Sequence, residues 1–189
     1  MAKIVAVIGR SGSGKTSTIE YLISNLSREG FSIGSIKHVH EKDFTIDTKG
    51  KDTWRYAQAG AKIIAIIAPT EVAIIKKKED QKMKLEETIK DLEELDIIFL
   101  EGFHSLIAKR NDVFKIITAE NDEDLERTLK GTVHPIIAIT GKVAKLKPKI
   151  FNPEAPIIDM YSEGRRLVQL VKDHIRGRLD WEKRNMQEL

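Results

Sequence analysis

Ile4-Val5-Ala6-Val7-Ile8-Gly9-Arg10-Ser11-Gly12-Ser13-Gly14-Lys15-Thr16 is the stretch whose reading decides the fold. It opens with a continuous apolar, mostly β-branched run, which predicts a strand buried on both faces in a parallel sheet. Glycines follow at once, in the spacing G-x-x-x-x-G-K-[ST] met by Gly9, Gly14, Lys15 and Thr16. Beyond them Ile19, Leu22, Ile23 and Leu26 recur at helical spacing, and Gly30 supplies a stop. Strand, glycine loop and helix make the first half of a βαβ unit.

Each residue type in the loop answers a chemical need. Glycines let the chain turn tightly and aim its N–H groups inward as an anion-binding nest, and the following helix adds its positive end. Lys15 sets a compact positive charge where the β- and γ-phosphates of a nucleoside triphosphate lie. The hydroxyl of Thr16 is the expected magnesium ligand, because magnesium takes oxygen donors. Gly9, Ser11, Gly12, Ser13, Gly14, Lys15, Thr16 and Ser17 are therefore the core of a candidate nucleotide site.

Working outward, Phe31 to Val39 predicts a second strand and Asp52–Ala59 a short helix. Lys62–Ala68 and Glu71–Ile75, parted by Pro69-Thr70, predict an antiparallel hairpin. Met83 to Leu95 has the spacing of an amphipathic helix. Asp96–Gly102 is another buried strand, followed by Val113–Thr118, a helix over Asp122–Lys130, and Pro135–Thr140. Pro148, Pro153 and Pro156 punctuate a loop before a short strand, Ile157-Ile158-Asp159, and Leu167, Leu170, Val171, His174 and Ile175 mark a last helix. Alternating strands and helices predict an α/β, P-loop NTPase-like three-layer sandwich with a mostly parallel sheet and at least one antiparallel hairpin. No repeat or long linker divides the chain, so residues 1–189 read as one nucleotide-binding domain, with 176–189 a candidate helical tail.

A second acid is expected at a magnesium–phosphate site. Ligands of open α/β sheets lie beyond the carboxyl ends of the strands, which selects Glu101 over Asp96; Asp96 is expected to cap or solvate the junction before its strand. Lys37 and His38 leave the second strand on the same edge. His38 and His40, two apart, are a conceivable metal pair without an evident third ligand. Lys51 and Arg55 suit further phosphate charge, and Asp52 suits either a metal or a helix cap.

Composition narrows the classes. The 189 residues contain no cysteine, which excludes disulfides, thiolate zinc sites, iron–sulfur clusters and a cysteine nucleophile. The net charge of +3 gives no basis for a nucleic-acid partner. No apolar run approaches the ~20 residues of a membrane span, and the opening Met1-Ala2-Lys3 is too short for a signal peptide, so a soluble, cytoplasmic protein is expected.

The glycine loop, the Lys37-His38 strand end, Asp47 leading to Gly50-Lys51-Asp52-Thr53, Arg55, Gly60-Ala61 and the strand ending Glu101-Gly102-Phe103 together resemble the MobB family, adaptors of molybdopterin-guanine dinucleotide synthesis. The resemblance covers roughly the first 105 residues of the sequence. It implies a GTP-binding protein, often a homodimer, with at most slow hydrolysis and no assigned catalytic residue. Such a protein assists the molybdopterin guanylyltransferase and other molybdenum cofactor enzymes. It implies Glu101 with Thr16 at the magnesium site, and Lys37, His38, Asp52 and Arg55 along the same cleft. Two alternatives stay open: a small P-loop kinase phosphorylating a metabolite, with Lys109-Arg110 in a lid, and a metallochaperone GTPase. The Asn-Lys-x-Asp guanine reader of Ras-type GTPases is missing from the sequence. Thr140-Gly141-Lys142 is a candidate to approach the base, so guanine rests on the resemblance alone.

Overall fold

The computed structural model describes residues 1–41, 43–77, 85–146 and 155–177, and the chain forms two compact units. One comprises the described residues of Met1–His38 and Leu92–Leu189, the other those of Val39–Asp91. The first is built on five parallel strands, β1 (Lys3–Ile8), β2 (Ile33–Lys37), β5 (Ile97–Glu101), β6 (Phe114–Thr118) and β7 (Ile136–Thr140). Their order is β2-β5-β1-β6-β7, so β1 is central and its carboxyl end opens between β5 and β6. In register, Val7 stands beside Glu101 and Glu101 beside Lys37, which brings three site-bearing strand ends to one edge.

Helices cover both faces. α1 (Lys15–Arg28) and α6 (Met160–Ile175) pack Ile19, Leu22, Leu26, Leu167 and Val171 onto Val5, Val7, Phe99 and Ile116. Full burial of a side chain such as Leu22 or Leu26 contributes about 1.5–3 kcal/mol. On the other face, α5 (Asp122–Lys130) sets Leu125 against Ile117, Ile139 and Val143. The alternation of Ile116 and Ile117 between these two cores is the period-2 rule of a strand covered on both sides. α1 closes with the Phe31 N–H on the Leu26 carbonyl and the Gly30 N–H on that of Ser27, the bond pair of a Schellman stop.

The second unit contains α2 (Asp52–Gln58), α3 (Leu85–Lys90) and the antiparallel pair β3 (Ile63–Ile67) with β4 (Val72–Lys76). α2 packs on β3, and Lys76 pairs with Asp91 at 3.1 Å. The α/β class, the parallel sheet and the hairpin expected from the sequence are all present.

Several local expectations need correction. The helix over Met83–Leu95 is confined, among described residues, to Leu85–Lys90; 83 and 84 lie outside them, and 91–94 form a turn. The strand expected over Phe31–Val39 is limited to Ile33–Lys37, its flanks being spent on the α1 stop and the approach to Glu101. Ile157-Ile158-Asp159 is not a strand: a single parallel bridge joins Ile157 to Ile139, and Asp159 instead caps α6 (Met160–Ile175). Asp96 accepts bonds from the N–H and hydroxyl of Ser32, each at 2.7 Å, which hold its carboxyl below the usual range and tie the approach to β2 to that of β5. Pro148, Pro153 and residues 178–189 of the candidate tail lie outside the described residues.

Lys115 is a charged residue inside β6, and its side chain is fully buried. Its ammonium donates to the carbonyls of Arg110 and Val113, the latter at 2.9 Å. Burial pushes its pKa down to about 8, with Asp112 opposing the fall. Because the unfolded chain holds this proton up to its ordinary value of 10.5, the folded state loses it first, and stability gains as pH rises from about 8 towards 10.5. Unfolding in urea across that range should show wild type gaining on Lys115→Met by on the order of 2 kcal/mol by pH ~10; parallel curves would contradict the assignment.

Candidate functional site

The glycine loop leaves β1 at Gly9 and is pressed onto the ends of β6 and β7. A Cβ on Gly9 would lie 2.2 Å from the Thr118 carbonyl oxygen, and one on Gly141 would lie 2.6 Å from that of Ser13. Gly12 and Gly14 adopt φ of 79° and 101°, the left-handed turns that swing successive N–H groups inward. The Ser13 hydroxyl, fully buried, bonds the Arg10 carbonyl at 2.8 Å and shares a 2.7 Å bond with the Thr118 hydroxyl. Thr118 in turn donates to the Ile8 carbonyl at 3.3 Å. Ser11 is exposed on the turn, and Ser17 lies in the first turn of α1.

Three charged or hydroxyl groups meet beside this loop. The Thr16 hydroxyl donates to Glu101 Oε1 at 3.0 Å, and the Lys37 ammonium lies 3.3 Å from the same oxygen. The Glu101 side chain is 14% exposed, so the pair of donors substitutes for most of its water. Lys15 reaches back to the Arg10 carbonyl at 2.7 Å. Its pKa is lowered, first by burial; Glu101 raises it, and Lys37 lowers it further. A hydroxyl and a carboxylate oxygen 3.0 Å apart beside the glycine loop are the hard donors that magnesium takes, so Thr16 and Glu101 suit that ion.

His38 is placed by its own N–H, which donates to the Glu101 carbonyl at 2.9 Å, and by ring contact with Phe103 at 5.1 Å. On the second unit, Lys51 precedes α2, and Asp52 and Arg55 pair on its surface at 3.7 Å. Asp47 accepts from the Thr53 hydroxyl at 2.7 Å, tying the approach to α2. Among the described residues no group of three or more His, Asp or Glu gathers as a metal site.

A cleft of about 360 Å³ continues from the loop, lined by Gly12, Ser13, Gly14, Ser17 and Thr18, by Thr140, Gly141 and Lys142, and by Lys145, Asp159, Met160 and Tyr161. Thr140-Gly141-Lys142 was legible as a strand-end loop. No local pattern in the sequence marks Glu120, Lys145, Asp159 or Tyr161 for this cleft, since their placement depends on chain crossings. Lys142 is held by Glu120 at 2.6 Å, and Lys145 lies 4.2 Å over the Tyr161 ring.

Residues 4–140 match the family model MobB, described as Molybdopterin guanine dinucleotide synthesis protein B. The chain belongs to this family. Its similar relatives include a probable molybdopterin-guanine dinucleotide biosynthesis adapter protein of Bacillus subtilis, 33% identical over 65% of this chain and 68% of that one. Another is the putative adapter protein of Methanocaldococcus jannaschii, 31% identical over 64% of this chain. The match spans about half, 49%, of that archaeal relative's length. The crystal structure of Bacillus subtilis MobB superposes with a TM-score of 0.69 at 30% identity, covering 90% of this chain and 96% of that one. Hydrogenase maturation factor HypB from Archaeoglobus fulgidus, at 18% identity and a TM-score of 0.52 over 90% of this chain and 88% of that one, shares the fold. What sets this MobB-family chain's site is thus the junction of its loop with β5, β6 and β7.

Proposed function

We propose that this chain is a GTP-binding adapter of molybdopterin-guanine dinucleotide biosynthesis, acting with the guanylyltransferase that joins GMP to molybdopterin. The observation that carries the nucleotide half is the assembled loop with Thr16 and Glu101 in contact at 3.0 Å. Family membership carries the adapter half. In this reading the loop N–H groups and Lys15 bind the β- and γ-phosphates. Thr16 and Glu101 hold a magnesium ion, which supplies charge neutralisation across the phosphates. Lys37 steadies the Glu101 carboxylate and adds positive charge. The protein works in the cytoplasm. Turnover in this reading is at most slow.

A homodimer belongs to the same proposal. Ile63, Ile67, Val72 and Ile74 fall on one face of the β3–β4 hairpin, at 64%, 83%, 65% and 58% exposure. A two-stranded ribbon is marginal alone, and an apolar face of this kind is stabilised by more strands or a covering layer. A second copy presenting the same face satisfies both needs by symmetry.

Lys15→Ala should lower GTP affinity at least a hundredfold by calorimetry, about 3 kcal/mol, with an unchanged circular dichroism spectrum; equal affinity refutes the phosphate assignment. With GTP and magnesium the wild-type chain should retain the guanylyltransferase in a pull-down. Failure there, or rapid phosphoryl transfer to a small acceptor, counts against the adapter. In sedimentation, wild type is expected at twice the chain mass and the Ile67→Lys, Ile74→Lys double variant at the single mass; identical masses would remove the hairpin from the interface.

A further inference from the structure

Two features of the cleft lie outside the glycine loop itself. The Thr140 hydroxyl is fully buried, lies at the cleft, and takes no hydrogen-bond partner among the described residues. A buried hydroxyl without a partner is costly, and it marks a place where a ligand atom or water completes the bonding. Beside it stands Asp159. The Ile158 N–H donates to the Ile139 carbonyl at 2.8 Å, and the Ile139 N–H to the Pro156 carbonyl at 2.9 Å. That parallel bridge carries the chain out alongside β7, so Asp159 leaves the sheet edge next to Gly141, and both line the cleft.

The Asp159 carboxylate is oriented by its role as the α6 cap. One oxygen accepts from the Tyr161 N–H at 3.1 Å and the other from the Ser162 hydroxyl at 3.2 Å. Each carboxylate oxygen has room for two hydrogen bonds, so one site per oxygen remains for a ligand. A fixed carboxylate with two acceptor sites side by side is complementary to adjacent N–H donors. Guanine presents such a pair, its ring N1–H and its exocyclic N2 amine. Adenine presents an acceptor and a C–H at the same edge and leaves the carboxylate unsatisfied.

We infer that Asp159 is the guanine-reading residue of this chain, with the Thr140 hydroxyl as a second polar contact to the base. The Asn-Lys-x-Asp string that serves this purpose elsewhere is missing, and here the acid comes from the cap of α6. Lys142 and Lys145 flank the base, their charges already engaged by Glu120 and by the Tyr161 ring. The inference rests on the nucleotide-binding reading, which it deepens by tying base choice to a residue.

The test is Asp159→Asn, titrated by calorimetry with GTP, ATP and xanthosine triphosphate, alongside wild type and a melting curve. Asparagine caps a helix as well as aspartate, so the fold is retained. Its amide accepts from N1–H and donates to the C2 oxygen of xanthine, while its N–H faces the guanine amine. The variant should lose about ten- to a hundredfold in GTP affinity and gain xanthosine triphosphate binding over wild type. Unchanged GTP binding overturns the inference, as does a wild type that takes ATP as well as GTP. Equal losses for GTP and ATP with no gain for xanthosine triphosphate overturn it too, since that is how a ribose contact behaves. A wild type that binds no triphosphate fails the nucleotide reading itself and takes this one with it.

Discussion

The bond between the Ser13 and Thr118 hydroxyls, 2.7 Å long and shut away from water, joins the glycine loop to the sheet. Gly9 and Gly141 make that junction possible, because a side chain on either would occupy backbone oxygen atoms of β6 or of the loop. With the loop seated there, α1 starts at Lys15 over the centre of the sheet and its apolar stripe falls on Val5 and Val7. Thr16 then faces β5. A loop displaced by even an ångström would part the Thr16 hydroxyl from Glu101, and the core beneath α1 would repack with it.

Glu101 shows how the sheet order acts on chemistry. β5 is the strand between β1 and β2, so its last residue lies between the loop and Lys37. The same carboxylate oxygen receives a hydroxyl and an ammonium, which holds it aimed. An acid one strand further out would not reach Thr16. The site is therefore a consequence of strand order as much as of the residues chosen.

Legibility followed the range of the interactions. β1, the loop and α1 are consecutive, and their signals of apolar run, glycine spacing and helical stripe are local, so they could be read directly. Glu101 was found because it ends a buried strand, and the general rule for open α/β sheets supplies the direction. Asp159 was misread as the end of a strand. The β-branched Ile157 and Ile158 do pair, but for a single bridge, and the acid that follows serves α6. The extent of the second unit, Val39–Asp91, is likewise marked by no linker, since its own strands and helices carry ordinary patterns. Lys115 sits in a run that reads as a strand, and only the crossing of Arg110 and Val113 shows where its charge is satisfied.

We propose that this junction forms a magnesium-dependent triphosphate site. Calorimetric titration of the wild-type chain with GTP, first with magnesium and then with the metal chelated, tests it most directly. Saturable binding that weakens at least tenfold on chelation is the predicted result. No binding in either condition, or an affinity indifferent to both magnesium and the terminal phosphates, would contradict it.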